Sequence, residues 1–139
     1  MDTKLVIEKL NGLLQEELAA IVRYLHHSFL VFGPMRIPVM ELFRKRAKDA
    51  TTHAVLVGEK ITALGGHPTV KISEVLEPGR QTVEEMLKED LEAEKDMIIR
   101  YKKFLPLVEE DVALHFLLCR IVEEEQLHIE DLEKLLRKE

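Results

Sequence analysis

Glu17-Leu18-Ala19-Ala20-Ile21-Val22-Arg23-Tyr24 has a counterpart further along the chain in Glu94-Lys95-Asp96-Met97-Ile98-Ile99-Arg100-Tyr101. Both stretches open on Glu, carry Ile at the fifth position and close on Arg-Tyr. At helical spacing the face of Glu17 also holds Leu10, Leu13, Leu14, Ile21 and Tyr24. Glu94 shares its face with Leu87, Leu91, Ile98 and Tyr101. Two carboxylates therefore point into an apolar core, where an unpaired charge costs several kcal/mol, roughly, and needs a compensating partner. His53 lies 36 residues after Glu17 and His128 lies 34 after Glu94, so the chain reads as two similar helical hairpins.

Working outward, the first helical segment runs from about Thr3 to Phe32 with the stripe Val6, Leu10, Leu13, Leu14, Ile21 and Leu25, and Gly33-Pro34 closes it. The second runs from about Pro38 to Leu64, closed by Gly65-Gly66-His67-Pro68. Residues 67–81 form the longest link. Thr82-Val83-Glu84-Glu85 is a capping box that opens the third helix, which continues to about Leu105 before Pro106 ends or kinks it. The fourth runs from about Asp111 to Lys138 with Leu114, Leu117, Leu118, Ile121, Leu132 and Leu135 on its stripe. Four long helices joined by a short, a long and a short link give an all-α four-helix bundle, one domain over residues 1–139, with two hairpins joined by one crossover and no fifth helix.

Composition narrows the function. Of 139 residues, 26 are Asp or Glu against 20 Lys or Arg, a formal charge of -6 that argues against a nucleic-acid partner. A single cysteine excludes a disulfide framework and a Cys-x-x-Cys metal module. No apolar run is long enough to span a membrane, and Met1-Asp2-Thr3-Lys4 does not open a signal peptide, so a cytoplasmic location is expected.

The polar residues on the inner faces suggest a metal centre. Glu125 and His128, at i and i+3, lie about 60° apart on one face at roughly 100° per residue. His53 lies among Leu56, Val57 and Leu64. Three carboxylates and two imidazoles facing one core suit iron, manganese or zinc better than calcium. The plan of a dimetal carboxylate bundle is one Glu from each of two helices and Glu-x-x-His from each of the others. Glu17, Glu94 and Glu125-x-x-His128 follow it, but Ala50 stands three before His53 where the plan has Glu.

With these residues the sequence resembles the ferritin-like superfamily, bacterioferritins above all, over nearly the whole chain. The resemblance rests on Glu17 to Tyr24, His53, the crossover into Glu84-Glu85-Met86-Leu87, Glu94, and Glu125-x-x-His128-Ile129-x-x-Leu132-Glu133. It implies a ferroxidase that oxidises ferrous iron with oxygen or peroxide and handles or stores the product. By position, Glu17 and His53 would be terminal ligands of one of two irons, Glu94 and His128 of the other, and Glu125 would bridge them. Tyr24 would be a hydrogen-bond donor or redox-active neighbour. Asp49 would partly substitute for the missing bridge at Ala50, and Thr51, where the family's haem-binding methionine falls, implies no haem. A homo-oligomer, at least a dimer, is expected.

Two other functions fit the same residues: a rubrerythrin-like peroxide-reducing enzyme, and a degenerate metal-binding bundle with an interaction role, which Ala50 keeps open. Individual residues also have plainer explanations. Glu17 and Glu94 would pair with Arg23 and Arg100, Glu125 and His128 would be a surface pair, His53 a satisfied core histidine, and Tyr24 and Tyr101 core fillers. His26, His27 and His67 read as surface residues, Cys119 beside His115 as a buried thiol, and Glu123-Glu124 as solvent-face charge.

Overall fold

The computed structural model describes residues 1–138 and contains four α-helices: α1 (Thr3–Leu30), α2 (Arg36–Ala63), α3 (Val83–Phe104) and α4 (Val112–Leu136). There is no strand among the described residues. Local chemistry sets the ends. The Asp2 side chain accepts from the Leu5 N–H, and Asp111 does the same for Leu114, so each caps a helix start. Thr82 and Glu85 form the capping box in full. α1 ends two residues before the expected Phe32, because Val31 turns extended and its carbonyl accepts from Arg36 Nη1 at 2.6 Å. α2 starts before Pro38, which sits inside its first turn, where the missing N–H goes unneeded. After Phe104 the chain tightens into a 3₁₀ turn, Leu105–Val108, around Pro106.

α1 packs on α2 and α3 on α4, as two hairpins. The crossover lies along α1 in ordered steps. Asn11 donates to the His67 carbonyl and accepts from the Thr69 N–H, Ser73 binds the Gln15 carbonyl and the Glu16 carboxylate, and Glu77 reaches His26. At its start Gly66 is held against Ile7, where a Cβ would come within 2.6 Å of that side chain.

The core has two apolar clusters. One holds Leu10, Leu13, Leu14, Val57, Ile61, Met97, Tyr101, Phe104, Leu114 and Leu118. The other holds Ala20, Tyr24, Phe43, Ala47, Ala50, Met86, Leu87 and Leu132. On every helix a polar residue falls between them in sequence: Glu17, His53, Glu94, and Glu125 with His128. Three residues expected in the core are exposed instead. Leu25 lies on an outer stripe of α1 with Val22 and Phe29, Leu56 lies beside exposed Val55, and Leu135 lies in the last turn of α4. No helix is long and apolar enough to cross a membrane.

Candidate metal centre

Each helix places its polar residue in the layer between the clusters, and Glu17, His53, Glu94, Glu125 and His128 are all at most 5% exposed. They converge in two overlapping triples. Glu17, His53 and Glu125 bring three donor atoms within 4.8 Å of one another, and so do Glu94, Glu125 and His128. Glu125 belongs to both. His53 Nδ1 stands 3.4 Å from Glu17 Oε2 and 3.2 Å from Glu125 Oε1, and His128 Nδ1 stands 3.7 Å from Glu125 Oε2.

The hydrogen bonding of this layer shows what the donors suit. Glu17 Oε2, Glu125 Oε2, both ring nitrogens of His53 and His128 Nδ1 are buried without a well-formed hydrogen bond. Buried polar atoms ordinarily find partners. Donor atoms that face one another at ion-pair distance without well-formed hydrogen bonds are a set that a cation could join. Carboxylate oxygen and imidazole nitrogen together match a transition-metal ion of the iron, manganese or zinc kind.

Outer partners are crossed between the hairpins. The Tyr24 hydroxyl on α1 donates to Glu94 on α3, and the Tyr101 hydroxyl on α3 donates to Glu17 on α1 at 3.2 Å. Glu124 on α4 reaches His53 Nε2 at 3.1 Å, and Asp49 on α2 reaches His128 Nε2 at 3.1 Å. These are ion-pair contacts rather than well-formed hydrogen bonds, and they set a carboxylate beside the outward nitrogen of each ring, a common arrangement around histidines that ligate metals. Asp49 thus stands on the outward nitrogen of His128, where it forms a third triple with Glu124, and it also meets Arg46 at 3.4 Å. It belongs to neither triple that shares Glu125. Glu124 is the residue that sequence reasoning left on the solvent face. The signal for it was spacing, since it precedes His128 by four residues as Asp49 precedes His53. The corresponding match between Ala50 and Glu125 is broken, and Ala50 is packed in the apolar cluster with Ala47 and Leu132.

Burial and charge shape these groups. Burial raises Glu17 from 4.5 to about 6, against the opposing pull of His53. Burial disfavours a charged His53, but the facing carboxylates of Glu125, Glu17 and Glu124 outweigh it and push the imidazole up to about 11. Glu125 is also penalised by burial, yet His128 and His53 hold it below the usual carboxylate range. Burial, reinforced by Asp90, raises Tyr24, and burial with Glu17 raises Tyr101, so both phenols stay protonated as donors.

The arginines do not pair with the core glutamates. Arg23 binds Asp90 at 2.8 Å, and Arg100 reaches Glu16 at 3.7 Å. His27, expected at the surface, is buried between Asp90 and Glu89, because Asp90 is itself fully buried on the facing helix and needs a partner. His67 is exposed, and Cys119 is half-buried with its sulfur 3.7 Å from His115 Nδ1.

Comparison with known proteins agrees with this geometry. A ferritin-like domain family model matches residues 7–139. A bacterial ferritin of Neisseria meningitidis (serogroup A) is 32% identical over 135 residues, covering 95% of this chain and 86% of that protein. A solved structure described as ferritin-like, diiron-carboxylate proteins from Bacillus anthracis superposes with a TM-score of 0.88 at 31% identity, covering 99% of both chains. A dodecameric thioferritin, the bacterioferritin-related protein of Bacteroides fragilis, gives a TM-score of 0.89 at 26% identity, over 98% of this chain and 86% of that one.

Proposed function

The chain belongs to the ferritin-like domain family, and from that premise we propose that it oxidises ferrous iron and handles or stores the ferric product. The observation that supports this most directly is Glu125, shared by two buried triples that each add one Glu and one His. Such a set would hold two ferrous ions side by side, with Glu17 and His53 on one, Glu94 and His128 on the other, and Glu125 between them. Each ion gives up one electron. One hydrogen peroxide accepts both with two protons and leaves as two waters; with oxygen as oxidant, the same two electrons and two protons give hydrogen peroxide. The chain's own part is to fix the spacing of the ions, exclude bulk water between the apolar clusters, and hold the carboxylates by tyrosine hydrogen bonds. Residues 1–139 act as a single bundle domain, in a homo-oligomer of at least two copies.

Aerobic addition of ferrous iron to the purified protein tests this. Two ferrous ions per chain should be consumed faster than in buffer, and no oxidation above buffer would defeat the proposal. Ala50 favours one second reading, a bundle that binds a single cation without turnover. Metal analysis after Ala50→Glu separates the two. A rise from one cation per chain to two would assign the native protein to the single-cation reading.

A further inference from the structure

Besides the candidate centre, the bundle buries a second set of charges. Asp90 on α3 is fully buried and accepts from Arg23 Nε at 2.8 Å, and its other oxygen meets His27 Nδ1 at 3.0 Å. The far side of the His27 ring reaches Glu89 at 2.8 Å, which also accepts from Gln81. At the other end of the chain of contacts, the Arg23 guanidinium carbon lies 4.9 Å from the centre of the Tyr24 ring. Tyr24 is the residue whose hydroxyl donates to Glu94. A line of charged side chains therefore runs from the half-buried Glu89 through His27, Asp90 and Arg23 to the ring of Tyr24.

The sequence repeat makes this line informative. Arg100 and Tyr101 occupy the matching positions in the second hairpin, and Tyr101 donates to Glu17 as Tyr24 does to Glu94. Arg100 has no such network: its side chain is 57% exposed and meets Glu16 at 3.7 Å, whereas that of Arg23 is 13% exposed. Tyr101 is set among apolar side chains such as Met97, Phe104 and Leu118. Two equivalent tyrosines thus have unequal support. Keeping four ionic groups inside one half of the bundle carries a desolvation cost that offsets much of their mutual attraction.

We infer that Arg23, Asp90, His27 and Glu89 form a positioning unit that holds Tyr24 on Glu94 and makes the Glu94–His128 half of the centre bind its cation more tightly than the Glu17–His53 half. The inference rests on the proposed function for its cation part and on geometry alone for its tyrosine part. Arg23 and Asp90 touch no ligand atom and act through Tyr24. The polar contacts of an outer partner set the orientation of the carboxylate it holds, and their loss costs about 10–100-fold in metal affinity.

The test is an anaerobic Co²⁺ titration of the full chain. Wild type should bind in two steps, with the tighter step lost in Glu94→Gln. Arg23→Met should weaken that step about 10-fold and leave the other unchanged, and Arg100→Met should change neither. In a Tyr24→Phe background Arg23→Met should have no further effect, since the two act through one contact. Equal weakening of both steps, no weakening, or additive losses would overturn the inference. Asp90→Asn, close to Asp in size, repeats the test should Arg23→Met not fold.

A separate readout needs no cation. The chain has no Trp and only Tyr24 and Tyr101, so in Tyr101→Phe the emission comes from Tyr24 alone, quenched by its carboxylate bond. Adding Arg23→Met should raise that emission, and unchanged emission would refute the positioning unit. Were wild type to bind no Co²⁺, the proposed function would fail, and the emission result would still decide the tyrosine claim.

Discussion

Glu125 is the residue on which both triples depend, so its removal differs in kind from removal of either outer glutamate. Glu125→Gln should weaken both cations, whereas Glu17→Gln should spare the Glu94–His128 half; Zn²⁺ titration with counting of bound equivalents distinguishes them. His53, pushed up to about 11, carries a proton at neutral pH that a cation must displace. Cation binding at pH 7 should therefore release about one proton from this ring per chain. Calorimetry in buffers of different ionisation enthalpy measures it, and His53→Ala should abolish that share. His27 gives the clearest dependence of stability on pH. Burial opposes its charge, but Asp90 and Glu89 raise its pKa above the unfolded value near 6.5. Its contribution is then fully present below about pH 6.5 and is lost as pH rises through the folded pKa. The difference in thermal midpoint between wild type and His27→Gln should shrink as the pH is raised from about 6 to 9.

At the scale of the element, caps and punctuation explain why the helices could be placed from sequence. Thr82 and Glu85 satisfy each other's backbone N–H groups at the start of α3. Thr82→Ala should cost about 1 kcal/mol, a drop of about 3 °C in the thermal midpoint of the metal-free protein by circular dichroism. The repeat around Glu17 and Glu94, together with helical phasing, showed which carboxylates face inward. What phasing misjudged lies at the edges of the stripes. Leu25 and Leu135 satisfy the period but fall where no helix covers them. His27 was missed for the opposite reason, since its partners Asp90 and Glu89 sit on another hairpin and no spacing within α1 reveals them. Glu124 was hidden inside an acidic run that looked like ordinary solvent-facing charge. Only its contact with His53 Nε2, across from α4 to α2, sets it apart.

Across the whole molecule, apolar side chains are left open to solvent along α1 and just beyond its end, where Val22, Leu25, Phe29 and, past the helix, Phe32 are 37–65% exposed. Patches of this kind mark interaction surfaces, and the proposed homo-oligomer would cover this one. Phe29→Asp should shift the protein toward smaller species in light scattering, with the fold and cation binding retained. The arrangement of the triples also sets an order of events. Glu94, Glu125 and His128 all belong to the second hairpin, whereas Glu17 and His53 must wait for Glu125, which lies on α4, the last of the four helices. During synthesis the first hairpin emerges long before the residue shared by both triples. The last helix made, α4, supplies Glu125 to both triples, so the candidate centre is completed only once the whole bundle can close around it.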